Sequence, residues 1–130
     1  MIENLDPQQA WDLLQSNSDA VLVDVRSMVE HAFVGHPPGA MPIPWKEAPD
    51  WQLNPHFVAE VKHVVANPSA PVLLLCRSGQ RSLDAAKALE EAGYQWLINI
   101  VDGFEGALDG HKHRGNLGGW RFQGLPWEQS

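Results

Sequence analysis

The stretch PVLLLCRSGQRSLDAAKALEEAGY, residues 71–94, contains the only cysteine in the chain. Cys76 follows an apolar run that predicts a buried strand, and residues 81–92 have the apolar spacing of a helix that ends at Gly93. Each of the six residues after Cys76 is polar or glycine. This stretch therefore predicts a strand, a short loop and a helix, with the thiol at the point where the strand ends.

The rest of the chain repeats this alternation of apolar runs and helical patterns. Further helices are predicted from Pro7 through Leu14 and over residues 55–66, and further strands over residues 20–25 and 96–101. Residues 35–44 are dense in glycine and proline, which predicts a loop with at most a short extended piece. Strands that alternate with helices indicate a parallel sheet covered on both faces, and therefore an α/β domain. In such domains ligands bind at the carboxyl ends of the strands, which is where Cys76 lies.

The size and the charge of the chain limit what it can be. Its 130 residues, of which 44% are hydrophobic, suit a single domain over residues 1–130, with residues 110–130 as an irregular extension packed on it. The net charge of −7 argues against nucleic acid as a partner, because phosphate binding requires a basic surface.

Several types of protein are disfavoured by what the sequence lacks. One cysteine excludes an internal disulfide and gives no sign of an oxidising compartment. The first residues, MIENLDPQQA, do not resemble a signal peptide, and no apolar run reaches the roughly 18 residues that span a bilayer. We therefore expect a cytoplasmic protein without a membrane partner. The six histidines are scattered and form no set of zinc ligands, so we expect them in surface or loop positions and expect no metal or cofactor.

Two interpretations of Cys76 compete. A free cysteine is often a small buried hydrophobe. A cysteine between a strand and a helix can instead be surrounded by backbone N–H groups and by the partial positive charge of the helix N-terminus. Such donors favour the thiolate, a nucleophile for the outer sulfur of a persulfide or thiosulfonate. The loop residues that would form this site are Arg77, Ser78, Gly79, Gln80, Arg81 and Ser82.

Particular side chains in this loop have distinct expected uses. Gly79 permits the backbone dihedral angles that a tight anion-binding loop needs. Arg77 and Arg81 could hold an anionic sulfur donor such as thiosulfate or a mercapto-acid. The alternative for both arginines is a solvated position at the surface.

The loop and two further motifs resemble the rhodanese-like domain family. CRSGQRS at residues 76–82 is similar to the cysteine loop of that family. VDVR at residues 23–26, followed by Glu30 and by GHPPGA at residues 35–40, resembles its D-x-R…E…G-H-I-x-G-A pattern. Asp102-Gly103-Phe104 is similar to the glycine-rich turn after its last strand. Together these motifs extend over nearly the whole chain.

The resemblance implies a three-layer α/β/α fold with a central, mostly parallel sheet. It also implies a sulfurtransferase that carries sulfur as a persulfide on Cys76, held by the amides of the loop. The donor would be a small anion, and the acceptor a thiol, a cyanide-like molecule or another protein. Asp24, Arg26 and Glu30 match family positions that we expect to support the fold near the loop rather than to react.

Three alternatives remain open at this stage. The domain could keep the family's shape as a binding or sulfur-relay module without turnover. It could be a cysteine-dependent phosphatase or arsenate reductase, although these need the spacing C-x5-R and Arg81 falls one position early. It could be a redox sensor, which would need a resolving thiol from outside the chain.

Overall fold

The computed structural model describes residues 2–130 as strands and helices in alternation. The strands are β1 (Ile2–Leu5), β2 (Val21–Asp24), β3 (Met41–Pro42), β4 (Lys46–Glu47), β5 (Gln52–Leu53), β6 (Val72–Leu75) and β7 (Leu97–Ile100). The α-helices are α1 (Pro7–Ser16), α2 (Phe57–Val64) and α3 (Gln80–Glu91), and a π-helical turn spans Glu30–Val34. Of the helices in the described residues, none is both long and apolar enough to cross a membrane.

Five strands form one sheet in the order β1-β7-β6-β2-β3, and every neighbouring pair in it is parallel. β6 therefore lies in the middle, with all four of its residues buried. In register, Leu75 of β6 pairs with Asp24 of β2, and Leu74 pairs with Asn99 of β7. The prediction of a mostly parallel α/β sheet is confirmed. β4 and β5 form a separate antiparallel hairpin.

The two faces of the sheet are covered by different parts of the chain. Val72 and Leu74 of β6 belong to one core, which is completed by buried side chains of α2 and α3. Leu73 and Leu75 point into the other core, because successive side chains of a strand alternate between faces. The side chains that complete this second core come from α1 and from the segment after β7; they include Ala10, Phe104, Trp120 and Leu125. The result is the expected three-layer arrangement.

The ends of the helices follow from local side-chain chemistry. Asp6 accepts a hydrogen bond from the backbone N–H of Gln9 at 2.8 Å, and the Gln9 side chain accepts one from the backbone of Asp6 at 3.0 Å. This reciprocal capping box, with Pro7 in the first turn, starts α1 where the sequence predicts it. α3 ends just before Gly93, which has φ +104° and is the predicted residue after the helix.

Some elements were not predicted from the sequence. β1 has the sequence IENL, and its two central residues are exposed because β1 is an edge strand that pairs only with β7. Such a half-polar stretch lacks the continuous apolar run by which β6 and β7 are recognised. The hairpin β4–β5 is made of two-residue strands, which are too short to produce a period.

Residues 110–130 contain little regular structure but contribute a large core side chain. Trp120 is fully buried, its ring meets Trp11 edge-on at 5.8 Å, and its indole N–H donates to the carbonyl of Pro126 at 2.7 Å. The buried indole thereby keeps its only polar group satisfied. We propose that this segment is an integral part of one domain.

Residues 128–130 return to the π-helical turn. The backbones of Glu128 and His36 exchange hydrogen bonds of 2.8 and 2.9 Å. Further on, the N–H of Ser130 donates to the carbonyl of Ala32 at 3.1 Å, and the Gln129 side chain donates to the carbonyl of Phe33 at 2.6 Å. The end of the described chain is therefore attached to the turn that carries Glu30.

We expect Trp120→Ala to lower the free energy of unfolding by about 3–5 kcal/mol, because it removes a fully buried aromatic side chain and leaves a cavity. Urea unfolding followed by circular dichroism measures the loss. Phe122→Ala is the matched control, since Phe122 lies in the same segment with 52% of its surface exposed, and it should cost less than about 1 kcal/mol. Equal, small losses for both variants would show that the segment is not part of the core.

Candidate active site

Cys76 lies directly after β6, at the carboxyl edge of the sheet. Only 1% of the residue is exposed, and it forms part of the core on the α2–α3 face. Its sulfur nevertheless contacts the loop: the N–H of Gly79 donates to Sγ at 3.1 Å, and the Ser82 hydroxyl lies 3.2 Å from Sγ. Cys76 is thus a buried residue whose sulfur has two polar neighbours. A purely apolar role does not account for those two neighbours.

The loop bends at Gly79, which precedes the first residue of α3. Its φ of +112° and ψ of −9° lie in the left-handed region that glycine adopts without strain. Arg77, Ser78 and Gln80 are exposed, Arg81 is partly buried and Ser82 is fully buried. The side chain of Gln80 donates to Asp84 on the surface of α3 at 3.2 Å. Of the predicted loop residues, Gly79 and Ser82 are the ones that make hydrogen bonds to the sulfur; the roles of the others stay predictions.

The turn after β7 holds the beginning of the loop. The N–H of Phe104 donates to the carbonyl of Cys76 at 2.8 Å, and those of Glu105 and Gly106 donate to the carbonyl of Arg77 at 3.0 and 3.2 Å. Gly103 allows this close approach, because a Cβ atom there would lie 2.4 Å from the carbonyl oxygen of Cys76. The Asp102-Gly103-Phe104 motif is therefore the element that closes against the cysteine loop.

Behind the sulfur, a chain of polar side chains leads to the edge of the sheet. Ser82 donates its hydroxyl to Oδ1 of Asn99 at 2.5 Å, and Nδ2 of Asn99 donates to Oδ1 of Asn4 at 3.3 Å. Asn99 is 4% exposed, and it pairs in register with Asn4 across β7 and β1. Neither asparagine was predicted from the sequence as part of the site. The available signal was that Asn99 is the polar residue inside the apolar run WLINIV.

Arg81 and Glu30 form a two-point ion pair over the loop. Nη1 and Nη2 of Arg81 donate to the two carboxylate oxygens at 2.7 and 2.9 Å, and the guanidinium lies 5.4 Å from the centre of the Trp51 ring. Glu30 also accepts from the backbone and the hydroxyl of Ser27, at 3.2 and 3.1 Å. Burial raises the pKa of Glu30, but the hydrogen bonds and charge of Arg81 hold it below the ordinary value of 4.5. The hydrogen bonds from Arg81 to Glu30 raise the pKa of Arg81, and the nearby Cys76 acts in the same direction.

Asp24 and Arg26 form a second, fully buried ion pair. Asp24 accepts from Nε and Nη2 of Arg26 at 2.9 and 2.7 Å and from Nδ1 of His31 at 2.8 Å. Arg26 also donates to the carbonyl of Gly35, and its guanidinium lies 4.6 Å from the ring centre of Phe104. Burial by itself raises the pKa of Asp24, yet the hydrogen bonds from His31 and Arg26 hold it below 3.8. These contacts tie the end of β2 to the π-helical turn.

The histidines were expected in surface or loop positions; His36 lies in a loop but is buried, and His31 is buried within the π-helical turn. Both are buried, and their rings stack at 3.8 Å with 6° between the planes. His36 uses Nδ1 to donate to the carbonyl of His31 at 2.8 Å, so burial is compensated by hydrogen bonds. Within residues 2–130, no group of three or more His, Cys, Asp or Glu side chains could hold a metal ion.

A pocket of about 420 Å³ lies beside the loop, where the π-helical turn faces the segment after β7. Arg77 and Arg114 contribute cationic groups, and Glu105 contributes an acid that lies 3.9 Å from Arg121. Val29 and Trp51 line the pocket with apolar surface, and 60% of Val29 and 47% of Trp51 is exposed. Arg114 was not predicted from the sequence as part of the site.

Comparisons with known proteins agree on one family. The family model for the Rhodanese-like domain matches residues 6–109. An uncharacterised protein of Rickettsia conorii is 35% identical, with 98% of both chains covered. The thiosulfate sulfurtransferase GlpE of Glaesserella parasuis is 34% identical over 78% of this chain and 82% of its own. The crystal structure of Rv0390 from M. tuberculosis superposes with a TM-score of 0.87 at 42% identity, with 98% of each chain covered.

We expect Asp24→Asn to cost about 3–5 kcal/mol at neutral pH, because it leaves the buried charge of Arg26 without its partner. The pKa of Asp24 is lower in the folded state than the ordinary value of 3.8, so its contribution is complete above about pH 3.8 and is lost as the pH falls further. The variant should therefore lose less stability on acidification than the unmodified protein does.

Urea unfolding midpoints measured from neutral to acidic pH test this expectation. Asp19→Asn is the control, because Asp19 is exposed and its removal should leave the pH profile almost unchanged. Equal acid sensitivity of Asp24→Asn and the unmodified protein would contradict the assigned role of Asp24.

Proposed function

This chain belongs to the rhodanese-like domain family, and on that premise we propose that it is a sulfurtransferase that carries sulfur as a persulfide on Cys76. The observation that carries the proposal is the contact of Sγ with two hydrogen-bonding groups, the N–H of Gly79 and the Ser82 hydroxyl. Each can donate to a negative sulfur and so favours the thiolate. Arg81, held by Glu30, adds a positive charge beside the loop.

In the first half of the proposed reaction, the Cys76 thiolate attacks the outer sulfur of thiosulfate. The new bond joins Sγ to that sulfur, the sulfur–sulfur bond of the donor breaks, and sulfite leaves with the bonding electron pair. The enzyme is left with a persulfide anion, and no external oxidant or reductant is consumed. The loop donors can stabilise this anion as they do the thiolate.

In the second half, a thiolate or cyanide attacks the terminal sulfur of the persulfide. The sulfur–sulfur bond breaks, the electron pair returns to Sγ, and the Cys76 thiolate is regenerated. The loop therefore has to favour a negative sulfur at both ends of the cycle. This requirement fits a site whose hydrogen-bond donors are fixed to the backbone and to the first turn of a helix.

The geometry of Arg81 favours sulfur chemistry over phosphate chemistry. A cysteine-dependent phosphatase needs an arginine that is free to clamp a tetrahedral phosphate in a larger loop. Here both terminal nitrogens of Arg81 are bound to Glu30 at 2.7 and 2.9 Å. Of the two arginines expected to bind the donor, Arg81 therefore supports the loop, and we assign the donor to Arg77.

The pocket beside the loop supplies a second cation for the donor. Arg114 lines it together with Arg77, while its own Nη1 donates to the carbonyl of Gly106 at 2.8 Å. A pair of guanidinium groups suits the oxygens of a thiosulfate-like anion. We propose that Arg77 and Arg114 bind the anionic end of the donor while its outer sulfur reaches Cys76.

Persulfide formation is the direct test of the proposed function. After incubation with thiosulfate, the intact mass of the unmodified protein should increase by one sulfur atom, and reduction by dithiothreitol should reverse the increase. Cys76→Ser is the control, because it removes the only thiol of the chain and should show no increase. A wild-type protein that never gains sulfur from thiosulfate or from a persulfide donor would favour a binding module without turnover.

The donor assignment predicts a separate kinetic effect. Arg77→Ala should raise the KM for thiosulfate roughly tenfold or more, because a charge-assisted contact is lost, while kcat changes less. Lys87→Ala is the charge-matched control, since Lys87 is exposed on α3 and should leave KM nearly unchanged. Initial rates of sulfite release over a range of thiosulfate concentrations measure both constants. Equal KM values for the two variants would remove Arg77 from the donor site.

A further inference from the structure

The hydrogen bonds that link Cys76, Ser82, Asn99 and Asn4 can run in either of two directions, and the position of the Ser82 hydroxyl hydrogen decides which. Ser82 is fully buried and its oxygen lies between two partners, Sγ of Cys76 at 3.2 Å and Oδ1 of Asn99 at 2.5 Å. A serine hydroxyl carries a single hydrogen, so it can donate to one of them at a time. With Asn99 presenting Oδ1, the hydroxyl donates to Asn99, and the contact with Sγ is then a hydrogen bond only if the thiol donates it.

This arrangement suits a protonated thiol and does not suit a thiolate. A thiolate has no hydrogen to give, so the Ser82 hydroxyl must turn towards the sulfur to keep the contact. If Asn99 continued to present Oδ1, two acceptor oxygens would then face each other at 2.5 Å. A half rotation of the Asn99 amide removes this conflict, because Nδ2 then donates to the Ser82 oxygen.

We propose that Asn99 is a positioning residue that sets the direction of the Ser82 hydroxyl, and that its amide turns when Cys76 ionises. In the protonated state the chain runs from the Cys76 thiol to Ser82 to Oδ1 of Asn99. In the ionised state it runs the other way, from Nδ2 of Asn99 to Ser82 to the sulfur. The inference rests on the proposed function for its purpose, which is to switch on the nucleophile.

Asn4 completes the chain at the edge of the sheet. In the observed state its Oδ1 accepts from Nδ2 of Asn99 at 3.3 Å. After the rotation, Oδ1 of Asn99 faces Asn4, which must then present its own Nδ2. Asn4 is exposed on the edge strand β1, so its amide can turn in contact with water. The side chain at position 4 thereby selects the direction of the hydrogen bonds that run from Asn4 through Asn99 and Ser82 to Cys76.

The proton balance of the switch is simple. Ionisation releases the thiol proton of Cys76 to water, while the hydroxyl proton stays on Ser82 and only changes its partner. The proposed rotation requires no change in the ion pairs around the loop, which join Arg81 to Glu30 and Asp24 to Arg26 and His31. These charges are therefore the same in both hydrogen-bond arrangements, and the rotation of the Asn99 amide is what distinguishes the two arrangements.

Substitution of Asn4 tests the switch without disturbing the core. Asn4→Asp offers only acceptors, so it holds Nδ2 of Asn99 and keeps Oδ1 on Ser82. We expect the thiolate-to-thiol ratio at pH 7 to fall roughly three- to tenfold, the scale of one hydrogen bond. Asn4→Lys offers only donors and should raise the ratio by a similar factor. The ultraviolet absorbance of the thiolate, measured against pH with Cys76→Ser subtracted, reports the ratio directly.

Each Asn4 variant also changes the local charge, and Ser82→Ala separates the two effects. Without the hydroxyl, the charge still acts on the sulfur but the hydrogen-bond chain does not. In the Ser82→Ala background, both Asn4 variants should therefore change the thiolate-to-thiol ratio only slightly. In the Ser82→Thr background, which retains the hydroxyl, they should change it as much as in the unmodified protein. Changes in the thiolate-to-thiol ratio that are equally large with and without the hydroxyl would overturn the inference. So would an unchanged ratio in both Asn4 variants.

A measurement on the unmodified protein avoids any dependence on how the variants fold. The side-chain amide resonances of Asn99 should change with pH at the same midpoint as the thiolate absorbance. Resonances that do not respond to ionisation of Cys76 would also overturn the inference. Because these readouts follow ionisation and not sulfur transfer, the switch and the proposed sulfurtransferase function can fail independently of each other.

Discussion

Parallel pairing of β6 between β2 and β7 is the constraint on which the rest of the site depends. The register places Asp24 beside Leu75 and Asn99 beside Leu74, so the charge pair of β2 and the amide of β7 end up on either side of Cys76. A slip of one residue in either pairing would send these polar side chains to the opposite face of the sheet. The hydrophobic cores on both faces oppose such a slip, because it would expose apolar side chains.

The arginines near the thiol fall into two groups, those bound to carboxylates and those that line the pocket. Arg26 and Arg81 are each bound to a carboxylate at two points and keep strand ends and loop in place. Arg77 and Arg114 line the open pocket. A buried or half-buried ion pair is a rigid support, since separating it would leave an uncompensated charge, whereas an exposed guanidinium can adapt to a ligand. Rigid charges therefore define the shape of the site, and the exposed side chain of Arg77 is the one that we propose for binding the donor.

Features encoded by neighbouring residues were predicted from the sequence, whereas contacts between residues far apart in the sequence were not. The strand, loop and helix around Cys76 are encoded locally by an apolar run, a glycine and helical spacing, and they were predicted correctly. The pairing of Arg81 with Glu30 joins residues 51 positions apart, and no local pattern reports it. Asn99 was not predicted as part of the site, because one polar residue within an apolar run does not alter the pattern that identifies a buried strand. Which side chains a buried polar residue such as Asn99 contacts becomes clear only once the order of the strands in the sheet is known.

Attachment of residues 128–130 to the π-helical turn has a consequence for synthesis on the ribosome. A nascent chain that has emerged only as far as β7 already contains Cys76, but it lacks the indole of Trp120 and the backbone partner of His36. One sheet face is then covered by α1 without the segment after β7, and the turn that carries Glu30 lacks its contacts with residues 128–130. The support of the turn that carries Glu30, which binds Arg81, is therefore completed only after translation of residues 128–130, so we expect a chain truncated after β7 to hold the cysteine loop less firmly.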